Sequence, residues 1–342
     1  MRVGLFFDYA QPDGGAYHQA GVELGLTTIT GLDEVLGEPL ELLCRDANGL
    51  PAGSEAEVAD GFRSFVAEDL TAVIGPSISD NAMVVTPIAD ELEIPCINYT
   101  GGAHTRSRWV FHYQVGSLEE EPAVIAAHLR AIGLDRVAVV YDESAVGRGY
   151  LDFFRAAGAH VVQAAAISAL STDLVAVLTD LRASEPDALV YFGLGVASRA
   201  VALAVTELAW GVPVVANSSL MFGYARPDWR AGYEGWAYVD TISDGNRART
   251  ALRERSKAHA GGPMGCAAFD MGRLLGAAIM QAPTLDRAGL RDGLERVKRL
   301  PATSGKDGTL MGFGPWDHGA LKGEFLVLRS WVGGRSTEVA GG

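Results

Sequence analysis

Thr71–Gly102 reads TAVIGPSISDNAMVVTPIADELEIPCINYTGG, and the order of its residues decides the fold class. Thr71 to Ile74 is a short β-branched run suited to a strand of a parallel sheet covered on both faces. Gly75 and Pro76 stop it. From Asn81 to Leu92, Ala82, Val85, Ile88, Ala89 and Leu92 share one helical face while Asp90, Glu91 and Glu93 stay wet. Ile94 to Ile97 is the next strand. In an open parallel sheet the loops at the carboxyl ends of strands line the ligand crevice, so Ser77, Ser79, Asn81 and the loop Tyr99, Thr100, Gly101, Gly102 fall at one mouth. Hydroxyls and free amides at a helix start suit an anionic or carbonyl oxygen. The competing reading is structural: Ser79 caps the helix and the glycines turn the chain.

At 342 residues the chain exceeds a single ordinary core, which predicts two lobes. Apolar residues at 48% with charged residues at 20% describe a soluble globular protein, and 42 glycines fit a fold rich in strand-to-helix turns. A net charge of −14 excludes the basic surface that nucleic acid or an anionic membrane requires. No apolar run reaches the roughly 18 residues of a spanning helix, so membrane insertion is not expected. The first residues, MRVGLFF, read as a strand rather than a signal peptide. That leaves a cytoplasmic protein, or a periplasmic one numbered from its mature start with Met1 supplied. Cys44, Cys96 and Cys266 are widely spaced and read as buried reduced thiols.

Outward from the central stretch the strand and helix alternation continues in both directions. Val3 to Phe7, Glu38 to Cys44 and Trp109 to Val115 read as strands, with helices over Ala16 to Thr28 and Gly53 to Glu68. Ser117 with Glu120 has the form of a capping box opening a helix at Glu121. The rhythm then restarts: strands at Arg136 to Tyr141, Val161 to Ala166, Ala188 to Phe192 and Pro213 to Ala216 alternate with helices from Tyr150, Asp173 and Ala197. Asp142 to Gly149 is expected to be a loop. Trp236 to Thr241 is strand-like. Helical patterns at Asp244 to Ala260, Ala267 to Met280 and Arg287 to Lys298 precede two late strands near Gly312 to Trp316 and Glu324 to Trp331, and Val332 to Gly342 reads as a frayed end.

Catalytic and cofactor motifs are not found. FGLGVAS, Phe192 to Ser198, sits between a strand and a helix but gives GxGxxS, and Ala216, Asn217 and Ser218 follow the next strand where a ribose-binding acid would stand. No cofactor is therefore expected. The seven histidines lack metal-ligand spacing. Glu119, Glu120 and Glu121 read as a solvated helix start, and Asp142, after a strand, is the better candidate acid.

AVIGPSIS, IPCINYTGG, RVAVVYDESAVGRGYLDFFRAAGAHVV, TDLVAVLTDLRASEPDALVYFG, AAFDMGRLLGAAI and GPWDHGALKGEFLVL, in this order and spacing, resemble the type I periplasmic solute-binding proteins of the branched-chain amino acid transporter kind, together with their cytoplasmic relative, the amide-sensing regulator. The resemblance spans nearly the whole chain. It implies an α/β fold of two doubly wound parallel-sheet lobes joined by three hinge crossovers, residues 1–116 with 242–312 and residues 117–241 with 313–342, closing over a small ligand. It further implies that Ser77, Ser79, Thr100, Gly101 and Gly102 hold a carboxylate; from their places in the chain, Tyr9 and Tyr17 fall near the mouth, as does the loop starting at Tyr99. The sequence departs from the family at Gly102, where a threonine is common, at Val146, where a tyrosine usually covers the ligand, and at Asn217 to Leu220, where amino-acid binders present an acid to the ammonium group. Ser218 and Ser219 carry no such charge, and Phe222 and Leu194 offer apolar surface. The expected function is non-enzymatic capture of a small carboxylate or amide, with an apolar or aromatic part, for an ABC importer and its permease. A cytoplasmic ligand sensor acting on a partner protein and an enzyme using Asp142 or a cleft glutamate as base are the alternatives.

Overall fold

The computed structural model describes residues 1–8 and 14–339. The chain forms two compact units, Met1–Val115 with Gly245–Phe325 and Gly116–Asp244 with Leu326–Gly342.

The first unit opens with β1 (Arg2–Phe7), α1 (Gly14–Leu26), α2 (Leu32–Leu36), β2 (Glu41–Asp46) and α3 (Glu55–Val66). The central stretch follows as β3 (Ala72–Ile74), α4 (Ser79–Glu91) and β4 (Cys96–Asn98), and β5 (Val110–His112) closes the run. The five strands are parallel in the order β2-β1-β3-β4-β5. Phe6 of β1 packs edge-on against Phe62, with ring centroids 5.4 Å apart, and stacks on Phe65, within a core that also takes Val73, Val85 and Ile88.

The second unit comprises α5 (Glu121–Ala131), β6 (Arg136–Asp142), α6 (Ala145–Ala156), β7 (His160–Ile167), α7 (Val175–Arg182), β8 (Ala188–Phe192), α8 (Ser198–Glu207), β9 (Val214–Ala216), α9 (Leu220–Tyr224) and β10 (Ala237–Asp240). Its parallel order, β7-β6-β8-β9-β10, repeats that of the first unit strand for strand.

The chain then returns to the first unit as α10 (Arg247–Arg255), α11 (Pro263–Gln281), α12 (Arg287–Arg296) and three short antiparallel strands, β11 (Leu300–Pro301), β12 (Leu310–Met311) and β13 (Leu321–Lys322). Helix α11 lies on α1 at glycine contacts: a Cβ on Gly25 would stand 2.1 Å from the Phe269 carbonyl oxygen, and one on Gly272 2.1 Å from that of Val22. Only hydrogen fits at such an approach. β14 (Val327–Val332) and β15 (Arg335–Glu338) extend the second sheet antiparallel from β10.

Several local expectations need correction. The passage near Gly312 lies instead at Phe325 and Leu326. Residues 313–325 stay in the first unit because Phe313 packs on the Phe111 ring at 4.9 Å, His318 stacks on it at 3.9 Å, and the Ala320 amide donates to the His112 carbonyl. The expected frayed end forms β15, whose Glu338 carboxylate accepts from the Ser243 hydroxyl and the Asp244 amide. Helix α6 starts five residues before Tyr150, because the Ser144 side chain caps it by accepting from the Gly147 amide; the glycines of SAVGRGY are helical. The reciprocal acid of the expected capping box is Glu121, not Glu120: the Ser117 amide donates to its carboxylate at 2.7 Å, while the Ser117 hydroxyl accepts from the Glu120 amide. Cys44 is exposed, Cys96 and Cys266 are buried, and none of the three is in a disulfide.

Candidate functional site

In the first unit Asp8, just past β1, and the loops after β3 and β4 lie at the carboxyl edge of the sheet. Asp8 follows β1 directly and is 6% exposed. Its Oδ1 accepts from the Ser77 amide at 2.7 Å and from the Ser77 hydroxyl, and its Oδ2 accepts from the Ile78 amide at 2.9 Å and the Asn81 side-chain nitrogen at 2.8 Å. A carboxylate has about four lone-pair sites, so Asp8 is filled. Burial raises its pKa, and the four donors oppose the rise. Ser77 is thereby committed inside the unit. Ser79, the first residue of α4, is half-buried, and among the described residues neither its amide nor its hydroxyl finds a partner. Helix geometry explains the free amide, since the first turn has no carbonyl to bond.

After β4, Asn98 organises the turn. Its Oδ1 accepts from the Thr100 amide at 3.1 Å and hydroxyl at 2.8 Å, and its Nδ2 donates to the Thr105 carbonyl at 2.6 Å. Thr100 is consequently turned inward. The Gly101 and Gly102 amides bond to nothing among the described residues. Tyr99, 4% exposed, shares a 2.8 Å hydrogen bond with Nδ1 of His18. Burial first, and the nearby His259 second, push the His18 pKa down to about 3, so the ring is neutral at physiological pH. Tyr9 lies outside the described residues.

The second unit repeats the plan with different groups. Asp142 ends β6, is 1% exposed, and accepts from the Leu194 amide at 2.7 Å and the Tyr191 hydroxyl at 3.4 Å. Glu121, expected to be solvated, has no exposed surface. Its Oε1 accepts from the Ser117 amide, the Ser218 hydroxyl at 2.8 Å and the Tyr150 hydroxyl at 3.1 Å, and its Oε2 accepts from the Ser218 amide at 2.6 Å. Burial pushes its pKa up to about 7 against these donors. Ser218 is thus committed to Glu121, whereas the Ser219 hydroxyl has no partner among the described residues. Val146 and Leu194, each 8% exposed, and Phe222, 4% exposed, supply the apolar side chains of these loops. Asp240, at the end of β10, accepts from the Tyr224 hydroxyl and the Thr241 and Ile242 amides.

A family profile described as periplasmic binding protein matches residues 8–320. The chain belongs to the periplasmic binding protein family. No curated protein matches it. Among solved structures it is similar to a leucine-binding protein from Thermotoga maritima, at 18% identity and a TM-score of 0.81 over 99% of this chain and 97% of that one. A type 1 periplasmic binding protein from Bordetella pertussis gives 17% identity and 0.82 over 99% of each chain. An ABC transporter substrate-binding protein from Desulfitobacterium hafniense, solved with leucine, gives 19% and 0.78 over 99% of each. These likenesses establish the fold, periplasmic binding protein-like I, with its α/β units.

In this binding protein the residues named from sequence separate into two sets. Ser77, Thr100, Asp142 and Ser218 hold their loops from within, whereas Ser79, Gly101, Gly102 and Ser219 keep unspent donors. Asp8, His18, Asn98 and the buried role of Glu121 were not foreseen. One signal was available for the first: LFFD and VVYD each end the first strand of a unit. The described residues contain no group of acids, histidines and cysteines arranged for a metal. A cavity of about 280 Å³ in the second unit, lined by Ala126, Leu129, Phe154 and His160 among others, opens by the starts of β6 and β7, at the sheet edge opposite these loops.

Proposed function

We propose that the chain binds, without turnover, a small organic carboxylate or amide carrying an apolar portion, as the capture component of an ABC importer. In the first unit Ser79, Gly101 and Gly102 offer donors suited to an oxygen, with Thr100, Tyr99 and Ser77 behind them. In the second, Val146, Leu194 and Phe222 offer apolar surface and Ser219 a hydroxyl. The observation that carries this reading is the commitment of the buried acids beside the loops. Glu121 and Asp8 each have four internal donors, while among the described residues the Ser79 amide and hydroxyl have no partner. An α-amino acid would bring an ammonium group that has to compete with these internal donors, at a cost of about 3 kcal/mol, or roughly a hundredfold in affinity. The family match and the similarity to ABC transporter substrate-binding proteins support the importer role.

A thermal-shift screen over amino acids, amides and aromatic carboxylates finds the ligand, since one at 100 times its dissociation constant adds about 2.7 kcal/mol of stability. Calorimetry then compares leucine with its deaminated counterpart, 4-methylpentanoate. The acid is expected to bind more tightly. Tight binding of leucine with none of the acid overturns the ligand class, and product formation from any bound ligand overturns the non-enzymatic reading. Stimulation of a reconstituted permease and ATPase pair by the liganded protein tests the transport role.

A further inference from the structure

We infer that Glu121 is a positioning residue whose protonation state sets the order of the Asn217–Ser219 loop, and through it the affinity of the loops of the second unit for their ligand. The ligand clause rests on the reading just proposed; the loop clause stands alone.

The geometry is unusually one-sided. Every group aimed at the carboxylate is a donor: the Ser117 amide from the turn before α5, the Ser218 amide and hydroxyl from the loop after β9, and the Tyr150 hydroxyl from α6. Space at the junction is closed as well. A Cβ on Gly116 would stand 2.2 Å from the Ser218 hydroxyl oxygen and 2.3 Å from Glu121 Oε1. The other ionisable neighbours are Glu119, which acts on Tyr150, and Asp240 at the end of β10, which packs against α5 and is held by Tyr224, Thr241 and Ile242. The largest influences on Glu121 are its burial, which raises the pKa, and then hydrogen bonds from the Ser218 amide and hydroxyl, the Ser117 amide and the Tyr150 hydroxyl, all neutral donors, which oppose the rise. The ionised form satisfies four donors. The neutral form can place its proton only toward the Ser218 or Tyr150 hydroxyl, which then accepts, and it holds the obligatory donors, the Ser117 and Ser218 amides, less firmly.

The consequence has a recognisable sign. Burial pushes the Glu121 pKa up to about 7 from an ordinary value of 4.5. Between those values the folded chain binds a proton that the unfolded chain has released. The contribution of this group to global stability therefore grows as pH falls through 7, while the hold on Ser218 weakens. Global stability and local order move in opposite directions.

Hydrogen exchange of the segment 214–222 over about pH 5.5 to 8.5, corrected for the intrinsic rate, reads the local term, and melting over the same range reads the global one. In the native chain, protection at 217–219 is expected to rise about fivefold as pH rises through 7. In Glu121→Gln, whose NH2 group meets either the Ser218 or the Ser117 amide donor to donor, protection is low and flat, and the pH slope of the melting difference disappears. Ser218→Ala, a milder change, removes one donor to the charged form and shifts the midpoint of the exchange profile to higher pH. A native profile that is flat in pH, or one unchanged in Glu121→Gln, overturns the inference; should Glu121→Gln fail to fold, an unshifted midpoint in Ser218→Ala does so. Calorimetry with 4-methylpentanoate across the same pH range reads the ligand clause, with affinity expected to track protection. No binding of 4-methylpentanoate at any pH removes the proposed ligand class and with it the ligand clause, while the exchange profile still decides the loop clause.

Discussion

Asp8 and Asp142 stand at equivalent places, at the carboxyl end of the strand second from the edge of each parallel sheet, and each holds the loop that follows the neighbouring strand. What they hold differs. Asp8 meets Ser77, Ile78 and Asn81 and is filled by four polar donors, which ties the start of α4 to β1 and leaves Ser79 as the next group whose amide and hydroxyl have no partner among the described residues. Asp142 meets the amide of Leu194, whose side chain adds apolar surface. The same device yields a polar loop in one unit and an apolar loop in the other, depending on whether serine or leucine follows the strand-end glycine by two residues or one. Fold repetition does not carry binding chemistry with it.

The largest effect should come from removing the first of these acids. Asp8→Ala strands the Ser77 and Ile78 amides and the Asn81 amide group, at roughly 1–3 kcal/mol each, so a loss of about 4 kcal/mol or outright misfolding is expected. A loss below about 1 kcal/mol in urea unfolding would break the picture of Asp8 as the anchor of its loop. The strand-end glycines come next. Gly75 has φ +114° and its Cβ would stand 2.1 Å from the Phe6 carbonyl oxygen, whereas a Cβ on Gly193 meets the movable side chains of Asp142 and Tyr191 at 2.4 Å. Gly75→Ala should therefore cost about 3 kcal/mol and Gly193→Ala about half of that, measured in the same way. Smaller again is the effect on binding: Ser79→Ala should weaken the ligand about tenfold and Leu194→Ala about fivefold, by calorimetry with whichever acid the screen returns. Ser77→Ala sharpens the contrast most finely, since it leaves the amide bonds to Asp8 and makes the loop resemble its counterpart. About 1 kcal/mol of stability should be lost and the affinity should change less than twofold.

The succession of strands and covering helices was legible because each unit is built from local signals. β3 and β8 are short runs of apolar residues buried on both faces, and Ala188–Phe192 was read without a boundary error. Helices α3 and α12 follow from side-chain periodicity. Errors fell where a local pattern was overruled by a distant partner: β15 exists because β14 offers it an edge, and 313–325 belong with the first unit because Phe111 provides a ring to pack on. Composition and the order of the motifs were enough to name the family. They were not enough to say which hydroxyls remain available. Asp8 and Ser77 lie 69 residues apart, and Glu121 and Ser218 lie 97 apart. A serine at a strand end is the same residue in the sequence whether a buried carboxylate consumes its donors or leaves them for a ligand. A buried donor must find an acceptor, and only the packed chain brings the acceptor within 3 Å of one serine and not of the next.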